Sequence, residues 1–253
     1  MNWIGLQTLL WREVKRFLIL SIQTIIPPFI TSALYILIFG NLLGSRISSI
    51  NGISYIDFIV PGVLMMNVIA GSFSNTSSSI YTGKLQNSIQ ELLVAPLSYI
   101  EIVLGFVLAG TLRGILIGLG VYIIAIFFTT ATIVNFFSFL YFLAMTSFLF
   151  ATLGGIIGLW GKTFDQINIP NTFILLPLSF FGGVFHSVSL LPETLARLSF
   201  ANPIFYMVNG IRSSMIGVSD VSSITAGLVI LVLSLISFAW CVQLFKRGYN
   251  LRS

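Results

Sequence analysis

Few ionisable side chains interrupt the long apolar runs of this sequence, and Arg113 is the only one that lies deep inside a run. If the runs cross a membrane, a proton-coupled carrier would need a carboxylate or histidine within them. The distribution therefore disfavours proton coupling, although a sodium-coupled carrier that uses hydroxyls and backbone carbonyls remains open. The acidic residues all lie near the ends of runs: Glu13, Asp57, Glu91, Glu101, Asp165, Glu193 and Asp220.

The remaining polar residues form no motif for catalysis or nucleotide binding. Gly161-Lys162-Thr163 resembles the end of a phosphate-binding loop, but position 156 is Ile where that loop needs its first glycine. His186 is the single histidine and Cys241 the single cysteine, and neither has metal-ligating or catalytic partners at a suitable spacing. We predict no catalytic residue, no metal site and no cofactor in this chain, and hence no enzyme activity of its own.

Arg113 and the hydroxyl-rich half of the second apolar run are the residues from which a polar pathway would be built. Ser74, Asn75 and Ser78 belong to a nearly continuous row of Ser, Thr and Asn from Ser72 to Ser79. Such a row either lines a conduit or forms hydrogen bonds between helices, and both interpretations stay open. Gly110, Gly114 and Gly118 recur every four residues and form a small-residue seam for a helix of the same chain or of a second subunit.

The elements that position these residues follow from composition. The 253 residues are 57% hydrophobic and only 8% charged, whereas soluble proteins carry about 25% charged residues. A span needs about 20 apolar residues, and the uncharged runs accommodate six of them. We predict one all-α integral membrane domain over residues 1–253, with spans at about 18–43, 58–81, 100–128, 136–160, 169–184 and 223–244.

Segments outside the spans are amphipathic. Residues 2–17 place Trp3, Leu6, Leu10, Val14 and Phe17 at helical spacing, as expected for an interfacial helix. Residues 84–96 form a second such segment, which ends at Pro96. Residues 198–211 carry no charge although they lie outside the predicted sixth span.

Orientation follows from the Lys and Arg residues near span ends, which favour the cytoplasmic side. Eight lie on one side of the predicted topology and three on the other, so both termini are expected in the cytoplasm. Because the cations are dispersed between spans, the net charge of +5 gives no support to nucleic-acid binding. The cytoplasmic set is Arg12, Lys15, Arg16, Lys84, Lys162, Lys246, Arg247 and Arg252; the opposite set is Arg46, Arg197 and Arg212.

Several short stretches in this order resemble the ABC-2-type transporter permeases, and within them the YadH-type permeases of bacterial inner membranes. The resemblance covers the whole chain. The stretches that carry it are Ile22–Pro28, Phe39–Ile47, Ile59–Gly62, Glu91–Leu97, Lys162–Asp165, Phe181–Phe185, Leu190–Pro192 and Asn202–Tyr206.

The resemblance implies a subunit that forms half of a dimeric exporter channel, most simply as a homodimer, with separate ATPase subunits that bind ATP and Mg²⁺. Residues 84–96 then act as the coupling helix, with Lys84, Gln90 and Glu91 toward the ATPase and Arg12, Lys15 and Arg16 as secondary contacts. Residues 192–216 become re-entrant extracytoplasmic helices broken at Asn202-Pro203, and Tyr206 joins them as a gate candidate. The expected substrate is amphipathic: drug-like, lipid-linked or lipo-oligosaccharide. The alternative is a cation-coupled carrier that works without an ATPase.

Overall fold

The computed structural model describes residues 2–40, 49–50, 52–130, 132–188 and 191–251, and these residues are mostly helical. A short β-hairpin precedes the longest helix, and each of its strands, β1 (Ser49–Ile50) and β2 (Ile53–Ser54), has two residues. Arg46, Arg252 and much of the 39–47 stretch lie outside the described residues. The helices are α1 (Trp3–Ile19), α2 (Ser21–Thr24), α3 (Ile26–Ile38), α4 (Tyr55–Leu85), α5 (Ser88–Val94), α6 (Tyr99–Ala125), α7 (Phe136–Trp160), α8 (Phe164–Pro170), α9 (Leu176–Phe181), α10 (Glu193–Ala201), α11 (Pro203–Ile216) and α12 (Ser223–Lys246).

Within the described residues, five helical stretches are long and apolar enough to cross a membrane: Ser21–Ile38, which joins α2 and α3, and the helices α4, α6, α7 and α12. The predicted span at 169–184 is not among them, because its chain is divided into α8, a π-helical stretch (Asn171–Leu175) and α9. Pro170 and Pro177 lack the backbone N–H that a regular α-helix uses, which accounts for the interruption. The six-span count therefore stays a prediction.

Helix α4 is the centre of the molecule and packs against α3, α6, α7 and α11. Close approach depends on glycine: a Cβ at Gly110 would overlap the hydroxyl of Thr76, and a Cβ at Gly114 would overlap that of Ser72. The glycine seam of α6 therefore packs within the same chain, against α4 and α7. A second seam, which sequence reasoning missed, is Gly154 and Gly158 on α7, where a Cβ would overlap or crowd the backbone of α4.

The two largest apolar clusters fill most of the interior. The larger one contains residues of α4, α6, α7, α11 and α12. The smaller one lies at the end of the bundle where α1 and α5 pack, and includes Leu9, Ile89 and Phe245. The non-spanning segments α1 and α5 are thus anchored to the bundle by apolar side chains, as their amphipathic patterns predict.

The helix pair α10 and α11 shows the predicted break. Asn202 has extended backbone dihedrals between the two helices, and Pro203 begins α11, where a missing N–H costs nothing. The side chain of Asn202 caps α11 by accepting from the N–H of Ile204 at 3.0 Å. Whether these helices re-enter a membrane stays a prediction.

Candidate functional site

Helix α5 presents a polar face on an apolar anchor. Ile89 is buried in the smaller cluster, while Gln90 and Glu91 are both exposed. Asn87 allows the sharp turn between α4 and α5, because it adopts φ 57°, a left-handed conformation that Asn tolerates. The predicted coupling residues Gln90 and Glu91 thus lie on the surface of a short helix that joins two long ones.

Lys84 lies in a different environment from Gln90 and Glu91. Its ammonium donates to the carbonyl oxygens of Leu159 at 2.7 Å and Gly161 at 2.8 Å, at the end of α7. Asn250 also donates to Leu159, at 3.0 Å. The last carbonyls of a helix need such donors, so Lys84 and the C-terminal segment tie α7 to the start of the coupling segment. These residues border a cavity of about 360 Å³ next to Ile89.

The buried face of α1 carries a carboxylate that the amphipathic pattern did not predict. Glu13 is only 2% exposed, between Leu9 and Phe17 on that face. It accepts from Arg12 at 2.9 Å, from Arg16 at 3.1 Å, and from the hydroxyl of Ser79 on α4. Two of the predicted secondary contacts, Arg12 and Arg16, therefore already pair with Glu13, whereas Lys15 is exposed.

A chain of polar contacts continues from α1 to α6. Arg16 donates to the backbone oxygen of Asn75 at 3.1 Å and to its Oδ1 at 3.3 Å. Arg113 donates to the same Oδ1 at 3.4 Å. The structure thus brings together three residues that the sequence analysis placed in two separate groups. Glu13, Arg16, Asn75 and Arg113 form what we call the polar chain.

Arg113 also compensates for the helix break between α2 and α3. Its Nη2 donates to the carbonyl of Thr24 at 2.9 Å. In a continuous helix that carbonyl would accept from residue 28, but Pro28 has no N–H. The helix is therefore interrupted between α2 and α3, just before Pro27-Pro28, and Arg113 of the third span donates to the carbonyl that Pro28 leaves without a donor. Arg113 is 7% exposed, and the structure assigns it a positioning contact here.

One stripe of α4 is more open than the residues around it: its members are half-buried, whereas most other residues of the helix are buried. The stripe is Ala70, Ser74, Ser78 and Thr82, each four residues from the last. Ser74 and Ser78, two pathway candidates, therefore lie on the open side, whereas Asn75 is buried in the polar chain. A cavity of about 180 Å³ adjoins the stripe and is lined by polar residues of α3, α4 and the interrupted fifth segment, including Thr31, Asn67, Asn171, Thr172 and Ser179.

The gate candidates lie at the junction of α10 and α11. Besides capping α11, Asn202 donates to the carbonyl of Leu178 at 2.6 Å, so the break between α10 and α11 is tied to α9. Tyr206 donates to the carbonyl of Phe200 at 2.9 Å, which fixes the angle between α10 and α11. Both residues have structural contacts, and the structure does not bring them to the stripe of α4.

Arg212 is a residue that sequence reasoning missed, because its position on α11 was assigned to the outer surface. It is 1% exposed, lies 3.9 Å over the ring of Phe58, and donates to the carbonyl of Gly183 at 2.6 Å. Burial and the neighbouring Arg212 lower the pKa of His186, while Asp220 opposes them. The signal in the sequence was the uncharged run of residues 198–211 directly before Arg212, since an ionisable residue within an apolar membrane segment usually faces the interior of the bundle.

Gly161-Lys162-Thr163 is a helix cap. The hydroxyl of Thr163 accepts from the backbone N–H of Gln166 at 3.3 Å at the start of α8. Gly161 follows the last residue of α7 and Thr163 precedes the first residue of α8, so the triplet links two helices.

A bundle of long apolar helices, bordered by an anchored amphipathic helix and a short surface helix, defines a polytopic helical membrane protein. Comparison with known families narrows this class. The ABC-2 type transporter family matches residues 5–216. The chain belongs to that family, as the sequence motifs predicted.

Comparison with individual proteins supports the same family. The chain is 41% identical over 251 residues to the inner membrane transport permease YadH of Escherichia coli strain K12, and the match covers 99% of this chain and 98% of the relative. It is also similar to nodulation protein J of Sinorhizobium fredii, with 26% identity over 216 residues, covering 85% of this chain and 81% of the relative. The predicted resemblance to YadH-type permeases is confirmed.

Proposed function

We propose that this chain is the permease subunit of an ATP-binding cassette exporter in the bacterial inner membrane. Two copies form the substrate pathway, and separate ATPase subunits bind ATP and Mg²⁺ and supply the energy. Family membership and the relative named as an inner membrane transport permease support this assignment. The chain itself is a transport subunit and carries out no catalysis.

The observation that carries the proposal is the construction of α5. A helix that transmits force from a soluble partner needs an exposed polar face and an anchor in the membrane domain. Gln90 and Glu91 supply the first, and Ile89 supplies the second. Because α5 directly joins α4 to α6, a displacement of α5 acts on the two helices that the polar chain also connects.

The open stripe of α4 supports a pathway between two copies. Ser74 and Ser78 are half-buried, in a helix most of whose residues are buried. A second copy placed opposite this face would enclose hydroxyls, the adjoining polar cavity and the apolar walls of α3. This mixed lining suits an amphipathic substrate, either drug-like, lipid-linked or lipo-oligosaccharide.

The proposal also includes the membrane topology of the chain. The segment from α8 to α9 forms the sixth membrane crossing, both termini lie in the cytoplasm, and α10 and α11 re-enter the membrane from outside. Transport proceeds by alternating access: ATP binding closes the ATPases, α5 moves, and the polar chain passes the movement to α1 and to the break before α3.

The test uses the permease co-expressed with a candidate ATPase encoded by a neighbouring gene. Glu91→Arg reverses the charge on the exposed face of α5, and we expect it to reduce co-purification and vanadate-sensitive ATPase activity at least about tenfold, since like charges across an interface cost several kcal/mol. Glu193→Arg is the matched control, because Glu193 is equally a surface carboxylate but lies on α10 at the other end. It should leave both measurements unchanged.

Two other results would contradict parts of this proposal. If no ATPase associates with the wild-type protein, and the purified chain moves solute under an ion gradient in vesicles, the exporter assignment is wrong. If Glu91→Arg and Glu193→Arg behave alike, the docking surface lies elsewhere.

A further inference from the structure

A lateral cleft opens between α12 and the interrupted segment from α8 to α9. Helix α12 packs mainly on α7, α11 and α6, whereas α8 and the π-helical stretch pack mainly on α4. The face of α7 between them forms the floor of the cleft. The exporter assignment gives this cleft no ligand, although Pro203 of the gate candidates lines it and Leu175 lines both the cleft and the cavity beside the stripe of α4.

Two adjoining cavities form the cleft, and Ile174 lines both of them. The cavity nearer α1 and α5 has a volume of about 540 Å³ and is lined by Ile156, Ile157, Trp160, Ile169, Pro170, Ile174, Trp240, Leu244 and Tyr249. The deeper cavity has a volume of about 250 Å³ and is lined by Leu149, Phe150, Leu153, Ile174, Leu175, Leu178, Pro203, Ile204, Leu233 and Ser237. Nearly every lining side chain is apolar.

The length of the cleft matches one leaflet of a bilayer. On α7 it extends from Leu149 to Trp160, and eleven residues at about 1.5 Å each give about 16 Å. Helix α12 contributes the parallel wall from Leu233 to Leu244. A hydrocarbon core is about 30 Å thick, so the cleft accommodates an extended apolar chain from the interface to about the midplane.

The mouth of the cleft has the chemistry of a headgroup region. Trp160, Trp240 and Tyr249 surround it, and such residues prefer the membrane interface because one end is apolar and the other forms hydrogen bonds. Lys246 and Arg247 lie two and three residues after Leu244, where α12 ends, and both are exposed; neither has an ion-pair partner within the described parts of the chain.

Charges contributed by α8 and its preceding loop are Lys162 and Asp165, both exposed. Four ionisable groups thus flank the lining residues Trp160, Ile169, Leu244 and Tyr249 in the sequence, and their net charge of +2 favours an anionic headgroup.

We propose that this cleft binds one acyl chain of an anionic phospholipid, whose phosphate lies at Lys246 and Arg247. The lipid comes from the leaflet that faces α5. Its acyl chain fills the space that α12 and the interrupted segment leave unpacked, where water would find almost no polar partner. The site requires neither the ATPase nor a transported substrate.

Native mass spectrometry of the detergent-purified protein, supplied with equal amounts of phosphatidylglycerol and phosphatidylcholine, tests the proposal. We expect the wild-type protein to retain phosphatidylglycerol in preference. Ile174→Trp places an indole where the two cavities meet and should remove the retained lipid. Leu116→Trp is the matched control, since Leu116 is a similarly exposed residue on α6 outside the cleft (43% exposed, against 51% for Ile174).

A second variant keeps the cleft intact. Lys246→Gln combined with Arg247→Gln should reduce the preference for phosphatidylglycerol at least about tenfold, because each surface cation contributes about fivefold. Equal lipid retention by Ile174→Trp and wild type overturns the proposal, as does equal loss in the Leu116→Trp control. Loss of dimer in Ile174→Trp with unchanged lipid retention assigns the cleft to a second copy instead.

Discussion

At the residue scale, the buried charged side chains bond either to backbone carbonyls that lack a helical donor or to one another. Arg113 donates to the carbonyl that Pro28 leaves without a partner, and Arg212 donates to the carbonyl of Gly183 next to a glycine turn. Burying a cation is costly unless it is paired or hydrogen-bonded. Both arginines therefore stabilise irregular backbone that the helices could not satisfy alone, and this role is compatible with a pathway elsewhere.

The link between Arg113 and Pro28 makes a prediction that a double-mutant cycle can check. Arg113→Leu leaves the Thr24 carbonyl without a donor and should lower the free energy of unfolding by about 1–3 kcal/mol. Pro28→Ala restores an N–H to that carbonyl, so the same Arg113→Leu change should cost less in the Pro28→Ala background. Thermal unfolding of the four proteins in detergent gives the coupling free energy. Additive effects of the two changes would contradict this account of Arg113.

At the scale of elements, glycines set how closely the central helices pack. The seams on α6 and α7 both face α4, and the second one brings α7 against the backbone of α4. In a membrane, close packing and hydrogen bonds replace much of the hydrophobic drive between helices. This explains why α4, which carries the hydroxyl row, is also the most enclosed helix of the bundle.

The α7 seam predicts an effect of a single methyl group. A Cβ at Gly154 would overlap the backbone carbonyl of Phe73, which cannot turn aside as a side chain can. Gly154→Ala should therefore destabilise the protein by about 1–3 kcal/mol, in the range of overpacked cores. At Gly227 on α12 the nearest atom lies at 3.3 Å, on the side chain of Tyr141, so Gly227→Ala is the matched control and should be nearly neutral. The measurement is the thermal midpoint in detergent, and equal shifts would contradict the seam.

At the scale of the whole molecule, α1 and α5 form one unit at one end, and α10 and α11 form another at the opposite end. The first unit is tied to the bundle by the polar chain and by Ile89, the second by Asn202 and Arg212. The open stripe of α4 extends between the two ends. This arrangement suits a subunit that receives a movement at one membrane surface and changes access at the other.

The proposed sixth crossing can be tested by cysteine labelling. Asp165 and Glu193 are exposed on either side of the interrupted segment, and the native Cys241 is buried. In intact cells, a membrane-impermeant maleimide should label Glu193→Cys, label Asp165→Cys only after permeabilisation, and leave wild type unlabelled. Labelling of both positions in intact cells would show that α8 to α9 does not cross the membrane and that the chain has five spans.

The sequence by itself determined the membrane class, the presence of long apolar helices, the break at Asn202-Pro203 and the family. These features depend on local composition and on proline, which removes a donor wherever it occurs. The coupling role of Gln90 and Glu91 was also inferred from the sequence, and it remains a proposal.

Only the tertiary structure decided which polar groups meet. The sequence placed Glu13 near the end of an apolar run, yet it lies buried against Arg16 and Ser79, because α1 packs on α6 with this carboxylate toward Ser79 of α4. The sequence predicted Arg212 to be a cation on the outer surface, whereas its guanidinium packs over the ring of Phe58. Burial and hydrogen bonding depend on residues far apart in the chain, and a single sequence without its contacts carries no record of those distances.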